Sequence, residues 1–259
     1  MTEPDFERRF GGLRRLYGTA AAQRLFDAHV VVVGIGGVGS WAAEALARSG
    51  VGRLTLIDMD HVAESNINRQ VHALGPTLGQ AKVEAMRERI ALIHTDCAVH
   101  TVDEFVTPEN AAQLLGTVRA MSPLPLAVVD ACDQVRAKLA MAEWSLRQRC
   151  LHVVVGAAGG KRRPQAVEVD DLSAVTHDPL LAKMRYQLRR FHGAPKTGRI
   201  GLSVVFSREA VAAPDASCAT SGDATHDSSL NCHGYGSSVT VTATFGMVAA
   251  AHVMNGLAG

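Results

Sequence analysis

Val30-Val31-Val32-Val33 runs straight into Gly34-Ile35-Gly36-Gly37-Val38-Gly39, and this junction limits the fold more than any other stretch of the chain. Four consecutive β-branched residues suit a strand covered on both faces of a parallel sheet. The glycines that follow let backbone N–H groups and a helix N-terminus approach a phosphate. The pattern then repeats. A helix is expected over 13–26 before the junction and another over 38–49 after it, followed by a strand at Arg53–Asp58, a helix near 80–93 and a strand at 98–102. A helix near 108–116, a strand at Leu126–Asp130, a helix near 134–149 and a strand at Leu151–Val155 complete the series. Strands alternating with helices predict an α/β fold with a doubly wound, mainly parallel, Rossmann-like sheet.

Composition removes the competing classes. With 47% hydrophobic residues, 20% charged and 9 Pro, the chain is not disordered, collagen-like or a small disulfide scaffold. Five cysteines (Cys97, Cys132, Cys150, Cys218, Cys232) without a Cys-x-x-Cys pair argue against a disulfide framework and a zinc ribbon, and His226 and His233 complete no zinc spacing. Cys132 reads as a small buried hydrophobe. The charged N-terminal residues form no secretory signal, so a cytoplasmic location is expected.

After Asp227 no charged side chain follows. Val239–Ala258 approaches membrane-spanning length, but Thr240, Thr242, Thr244, His252 and Asn255 interrupt it. It reads as a strand at Val239–Ala243 running into a short helix, buried and not inserted in a membrane. No repeat or low-complexity linker divides the chain, so a single domain over 1–259 is expected. The net charge of +1 gives no global attraction for nucleic acid, yet residues 151–208 carry 10 Lys/Arg against 4 Asp/Glu. The basic clusters are Lys161-Arg162-Arg163 and Arg185, Arg189, Arg190. Segregated charge of this kind suits contact with an RNA backbone.

The chemistry-bearing residues come in order. Asp58, at the end of the second strand, is placed to accept hydrogen bonds from a ribose, and up to this point a dinucleotide dehydrogenase remains open. Asp60, Asn66-x-x-Arg69-Gln70 and Gly79-x-x-Lys82 then add an amide, a guanidinium and an ammonium. Cations suit a triphosphate, whose departing phosphate needs its charge neutralised. Asp133, just past the fourth strand, can hold magnesium.

Taken together, Gly34-x-Gly36-Gly37-x-Gly39, Asp58-x-Asp60, Asn66-x-x-Arg69-Gln70, Gly79-x-x-Lys82 and Asp130-x-x-Asp133 resemble the ATP-dependent adenylating superfamily of ubiquitin-activating enzymes, MoeB and ThiF. The resemblance implies ATP as cofactor, Asp58 on its ribose, Asn66, Arg69 and Lys82 on its phosphates, and Asp133 on magnesium. Arg9–Gly18, Gly39–Gly50, Asp103–Val106, Asp178-Pro179-Leu180, Val205-Phe206-Ser207 and Thr242–Gly246 resemble more closely the tRNA-modifying dehydratases of that superfamily. They use ATP to activate, as acyl adenylate or acyl phosphate, the carboxylate of a threonylcarbamoyl group on the adenosine beside the tRNA anticodon, which then cyclises.

This resemblance implies a tRNA substrate and a homodimer in which an N-terminal arginine, Arg15 before Arg9, reaches the neighbour's phosphates. It also divides the chain into a nucleotide-binding core, 1–155, and a substrate-facing, dimer-forming extension, 156–259. Adenylation of the C-terminus of a sulfur-carrier protein is the alternative, with sulfur-transfer proteins as possible partners. The chain departs from the pattern at Arg163, where an Asp is expected before Pro164, and matches it poorly over 212–233.

Overall fold

The computed structural model describes residues 5–121, 125–213 and 235–259. Its centre is a seven-stranded sheet ordered β3-β2-β1-β4-β5-β7-β6, built from β1 (His29–Val33), β2 (Arg53–Ile57), β3 (Ala98–Val102), β4 (Leu126–Asp130), β5 (Leu151–Val155), β6 (Val167–Asp171) and β7 (Ser203–Ser207). Every neighbouring pair is parallel except β6, which runs antiparallel on β7. The predicted doubly wound sheet is therefore present, with one antiparallel edge strand.

Alternation within β1 divides the core. Val30 and Val32 pack towards α3 (Gly39–Arg48), α4 (Lys82–Ile93) and α8 (Val239–Ala258). Val31 and Val33 pack on the other face towards α5 (Ala111–Ala120) and α6 (Val135–Gln148). That second face continues into the cluster around α7 (Pro179–Phe191), where Leu181, Met184 and Leu188 meet Val204 and Phe206 of β7.

Two expectations are corrected. The helix predicted over 13–26 is two helices, α1 (Phe6–Tyr17) and α2 (Thr19–Phe26), separated at Gly18 with φ +84°. The strand predicted at Val239–Ala243 is the opening of α8. Alternating Val and Thr suggested period two, but the fully buried residues Val241, Phe245, Ala249 and Val253 recur every fourth position, the spacing of one helix face. Ser238 caps the helix by accepting from Thr240 N. Although long and apolar enough to cross a bilayer, α8 lies against α3 and the sheet. The close crossing needs Gly246, since a Cβ there would lie 2.5 Å from Val38 O.

Candidate active site

The glycine loop closes over the carboxyl ends of β1, β2 and β4. Gly34 N donates to Ile57 O and Ala131 N to Val33 O, both at 2.8 Å, so the three strand ends are joined where the loop begins. Gly34 adopts φ +83°, and a Cβ on it would sit 2.9 Å from the Ala131 backbone. That contact brings the loop bearing Asp133 against the glycine loop. A Cβ on Gly39 would overlap Gly34 O, whereas at Gly36 the nearest atom to such a Cβ is Gln70 Nε2 at 3.9 Å. Gly39 thus serves the turn itself, and Gly36 leaves an open cradle.

Asp58 is buried behind this loop. Its Oδ2 accepts from Ile35 N at 2.6 Å and its Oδ1 from Asp60 N at 2.9 Å, so the carboxylate is fixed with a lone pair remaining on each oxygen. Burial pushes its pKa up, opposed by nearby Lys82 and the two N–H donors. Lys82 opens α4 and is almost enclosed; its Nζ donates to Asp60 Oδ2 at 2.6 Å, and Asp60 is 52% exposed. Among the described residues, two of the three ammonium donors are thereby left for another anion.

Arg69 lies across the glycine loop, its Cγ and Cδ 3.4 Å from where a Gly37 Cβ would stand. Its Nη1 donates to Ser65 O at 2.6 Å and to Asn68 Oδ1 at 2.9 Å, while Nε and Nη2 have no partner among the described residues. The Arg69 carbonyl accepts from Trp41 Nε1 at 2.9 Å and Thr242 Oγ1 at 3.4 Å. Helices α3 and α8 therefore set the position of this arginine, a duty that nothing in the spacing of Trp41 or Thr242 discloses.

Asn66 is buried and uses its Oδ1 to accept from Ala63 N at 3.0 Å. Gln70 is buried too, with Oε1 lacking any hydrogen-bond partner among the described residues. An orphaned acceptor costs free energy unless a donor arrives, and it stands beside the open cradle at Gly36. Orphaned acceptor, open cradle and fixed carboxylate together fit a nucleotide with ribose hydroxyls and phosphates.

Asp133 is half-buried on the loop from β4 to α6. Among the described residues no group of three His, Cys, Asp or Glu could hold a metal. One carboxylate is nevertheless compatible with magnesium, which keeps several waters and takes few protein ligands. Arg15 is not brought to this site within one chain. It is exposed on α1, and α1 packs at the opposite edge of the sheet, where Phe10 lies near Gly50 and Tyr17 Oη donates to Asn255. A cavity of about 440 Å³ at that edge, lined by Arg9, Arg48 and Arg89 among others, is remote from the glycine loop.

Behind the site the sequence motifs include Asp130 but not its partner Lys138. Asp130 and Lys138 are both fully buried and paired at 2.9 Å, and Lys138 Nζ also reaches Asp130 O and Val155 O. Burial opposes the ammonium, but Asp130 beside it carries the Lys138 pKa above its ordinary value. The pair ties β4 to β5 beneath the Asp133 loop. Burial, reinforced by Asp130, also pushes the Cys132 thiol well up, and its Sγ lies 3.1 Å from Asp130 Oδ1. Such a neutral thiol suits packing and not nucleophilic attack.

One basic cluster is corrected as well. Lys161 is no part of a solvated face: it is buried, and its Nζ donates to Glu209 O at 2.7 Å and to His177 O and Ser207 O at 3.3 Å. Asp178 caps α7 by accepting from Leu181 N and holds Ala157 N at 2.8 Å. Cys218, Cys232, His226 and His233 lie outside the described residues.

Comparison with known proteins agrees with this geometry. The model of the ThiF family matches residues 11–259. The tRNA threonylcarbamoyladenosine dehydratase of Escherichia coli is 46% identical over 255 residues, which are 96% of this chain and 93% of that protein. Its Haemophilus influenzae counterpart is 41% identical over 257 residues, 98% and 94% respectively. The crystal structure of the E. coli dehydratase in complex with ATP superposes with a TM-score of 0.85 at 43% identity, covering 99% of this chain and 97% of that one. On the family match and these full-length relatives, the chain belongs to the ThiF family.

Proposed function

We propose that this chain uses ATP to dehydrate threonylcarbamoyladenosine beside the tRNA anticodon. The carrying observation is that near-full-length likeness to two bacterial dehydratases coincides with the fixed carboxylate Asp58, the open cradle at Gly36 and the two cations Lys82 and Arg69. An oxygen of the substrate carboxylate attacks the α-phosphorus of ATP and expels pyrophosphate, giving an acyl adenylate, or attacks the γ-phosphorus and expels ADP, giving an acyl phosphate. A ureido oxygen or nitrogen of the threonylcarbamoyl group then attacks the activated carbonyl, gives up a ureido proton to solvent, and expels AMP or phosphate. That step closes a ring, releases the phosphate-bound oxygen, and leaves the nucleoside one water lighter.

In this reading Asp58 holds the ribose, and Asn66, Gln70 and the backbone of Gly34, Gly36, Gly37 and Gly39 line the phosphates. Lys82, steadied by Asp60, and the Nε and Nη2 of Arg69 neutralise the charge that grows on the leaving group. Asp133 holds magnesium, which supplies further neutralisation when bound. Arg15 reaches phosphate only across a homodimer, from the second copy. The whole chain acts as one domain in the cytoplasm, where its tRNA substrate lies, and within the extension after residue 155 the loop between β5 and β6 faces the RNA.

The test is nucleoside mass spectrometry after incubating the protein with ATP, magnesium and tRNA bearing threonylcarbamoyladenosine. ATP-dependent loss of one water is the expected result, with Lys82→Ala lowering the rate by about 10²–10³ and Asp133→Asn weakening the magnesium dependence. An unchanged mass with folded, ATP-binding protein overturns the proposal. ATP–pyrophosphate exchange driven by a Gly-Gly-ended carrier would then establish the sulfur-carrier reading instead.

A further inference from the structure

Most of the basic charge in residues 151–208 is engaged within the fold. Lys161 is closed by three carbonyls, Arg185 donates to Leu172 O and Val175 O, and Arg189 to Pro195 O and Gly198 O. Arg190 lies on Tyr186 and Phe191, while Arg199 and Arg208 pair with Asp171 and Glu168. Among the described residues the charged heads of Arg162, Arg163, Lys183 and Lys196 have no such partner. Lys196 sits between α7 and β7, at the amino edge of the parallel strands. Arg162 and Arg163 lie between β5 and β6, at the carboxyl edge shared with the glycine loop.

The backbone of this arginine pair is anchored. Both oxygens of Glu209 accept from Arg162 N at 3.0 Å, and one also accepts from Arg163 N at 2.8 Å. Lys161 Nζ grips the Glu209 carbonyl at 2.7 Å, and Ala212 N donates to Gly160 O at 2.8 Å. A carboxylate beside two guanidiniums ordinarily takes them as ion-pair partners. Here it takes backbone N–H groups, and both guanidiniums are exposed. They follow β5, which lies two places from β1 and its glycine loop in the sheet order. A planar fork on a fixed backbone suits the phosphate of a polymer.

We propose that Arg162 and Arg163 form a phosphate clamp that seats the tRNA backbone beside the nucleotide site, with Glu209 as the residue that positions them. The clamp rests on the tRNA reading above and gives that substrate its place on the protein.

The experiment uses the full chain and tRNA bearing threonylcarbamoyladenosine, with binding followed by fluorescence anisotropy between 50 and 200 mM salt alongside steady-state kinetics. For Arg162→Gln with Arg163→Gln, the tRNA Kd and KM rise about tenfold, and the slope of log K against log salt becomes shallower by about 1.4–1.8, the share of two phosphate contacts. ATP affinity and kcat at saturating tRNA stay within about twofold, and Lys196→Gln at the far edge leaves affinity and slope near wild type. Glu209→Ala separates anchoring from charge. Removing a negative charge alone tightens RNA binding, whereas loss of the anchor raises the tRNA KM severalfold at unchanged kcat, with Glu209→Gln restoring part of it. Wild-type dehydration with an unchanged affinity and slope in the double variant overturns the clamp alone. A wild-type protein that neither binds nor dehydrates this tRNA overturns the functional reading, and the clamp with it.

Discussion

Lys82 and Lys161 are both buried cations at the carboxyl edge of one sheet, and their heads meet opposite partners. Lys82 meets Asp60, a carboxylate 52% exposed, and among the described residues keeps two donors for an incoming anion. Lys161 meets three backbone carbonyls and joins the loops after β5 and β7 to the one before α7. Where β3, β2, β1 and β4 end, buried polar groups are poised for a ligand; where β5 and β7 end, they hold loops together. Lys138 stands between the two regions, fully buried on Asp130, and belongs to neither use.

One substitution repeated at the three lysines puts the largest strain on this comparison. Lys138→Met leaves the Asp130 carboxylate buried without its counter-charge, and a loss of about 3–5 kcal/mol is expected by urea unfolding. Lys161→Met removes a donor from three carbonyls and a cation near buried Asp178, whose carboxylate keeps the N–H donors of Ala157 and Leu181, and about 1–3 kcal/mol is expected. Lys82→Met frees Asp60, which water already reaches, but also takes a cation from beside buried Asp58, whose two N–H donors remain, so a stability loss of about 1–2 kcal/mol is expected, with the rate lowered as for Lys82→Ala. If Lys161→Met costs as much as Lys138→Met, the division between holding loops and balancing charge is wrong.

The glycine loop offers the next test. Gly39→Ala drives a methyl group into Gly34 O and should cost about 1–3 kcal/mol through overpacking. Gly36→Ala meets nothing closer than 3.9 Å, so stability changes by about 0.5 kcal/mol at most. Its methyl group occupies the cradle, and ATP affinity measured by calorimetry should fall about tenfold. Equal thermal stability in the two variants would show that the loop has no division between turn and cradle.

These tests follow the line between what the sequence discloses and what it hides. The Val30–Val33 run and the glycines announce strand, turn and helix because local backbone geometry requires those residues there. Asp58, Lys82 and Arg69 are legible since short loops tie them to that geometry. The opening of α8 is misread because Val and Thr at alternate positions satisfy a strand pattern, and only the packing of Val241 and Phe245 on the sheet shows the helical face. Lys161 is misread with Arg162 and Arg163 because its acceptors, the carbonyls of His177, Ser207 and Glu209, are distant in sequence and carry no side-chain signature.

Acid distinguishes the regions less sharply. Burial holds His72, behind Lys82, down to about 4 against a usual 6.5. Only the unfolded chain then takes up a proton between those values, so the stability His72 contributes is lost as pH falls from 6.5 towards 4, by at most about 1.4 kcal/mol per pH unit. Asp171, beyond β7, behaves otherwise. Burial works against its charge, but the Ser173 hydroxyl and N–H donors from Ile200, Ser173 and Gly201 bring its pKa to about 2 from 3.8. Its contribution is present above 3.8 and is lost only as pH falls towards 2. Unfolding followed against pH should therefore show His72→Leu flattening the upper limb and Asp171→Asn the lower. Both changes on the same limb would contradict the two environments.

The smallest expected effect bears most directly on the second region. Arg189 Nε donates to Pro195 O at 3.1 Å and Nη2 to Gly198 O at 3.3 Å, closing the loop between α7 and β7 at the amino edge of the parallel strands, away from the glycine loop. Arg189→Gln removes one positive charge, as does each substitution in the arginine pair. If charge count governed RNA binding, all three residues would contribute alike. If position governs it, Arg189→Gln lowers stability by about 1 kcal/mol and leaves tRNA affinity and its salt slope near wild type. A slope as much altered by Arg189→Gln as by Arg162→Gln would mean that tRNA senses the second region as a diffuse field, and the distinction between engaged and presented cations would fall.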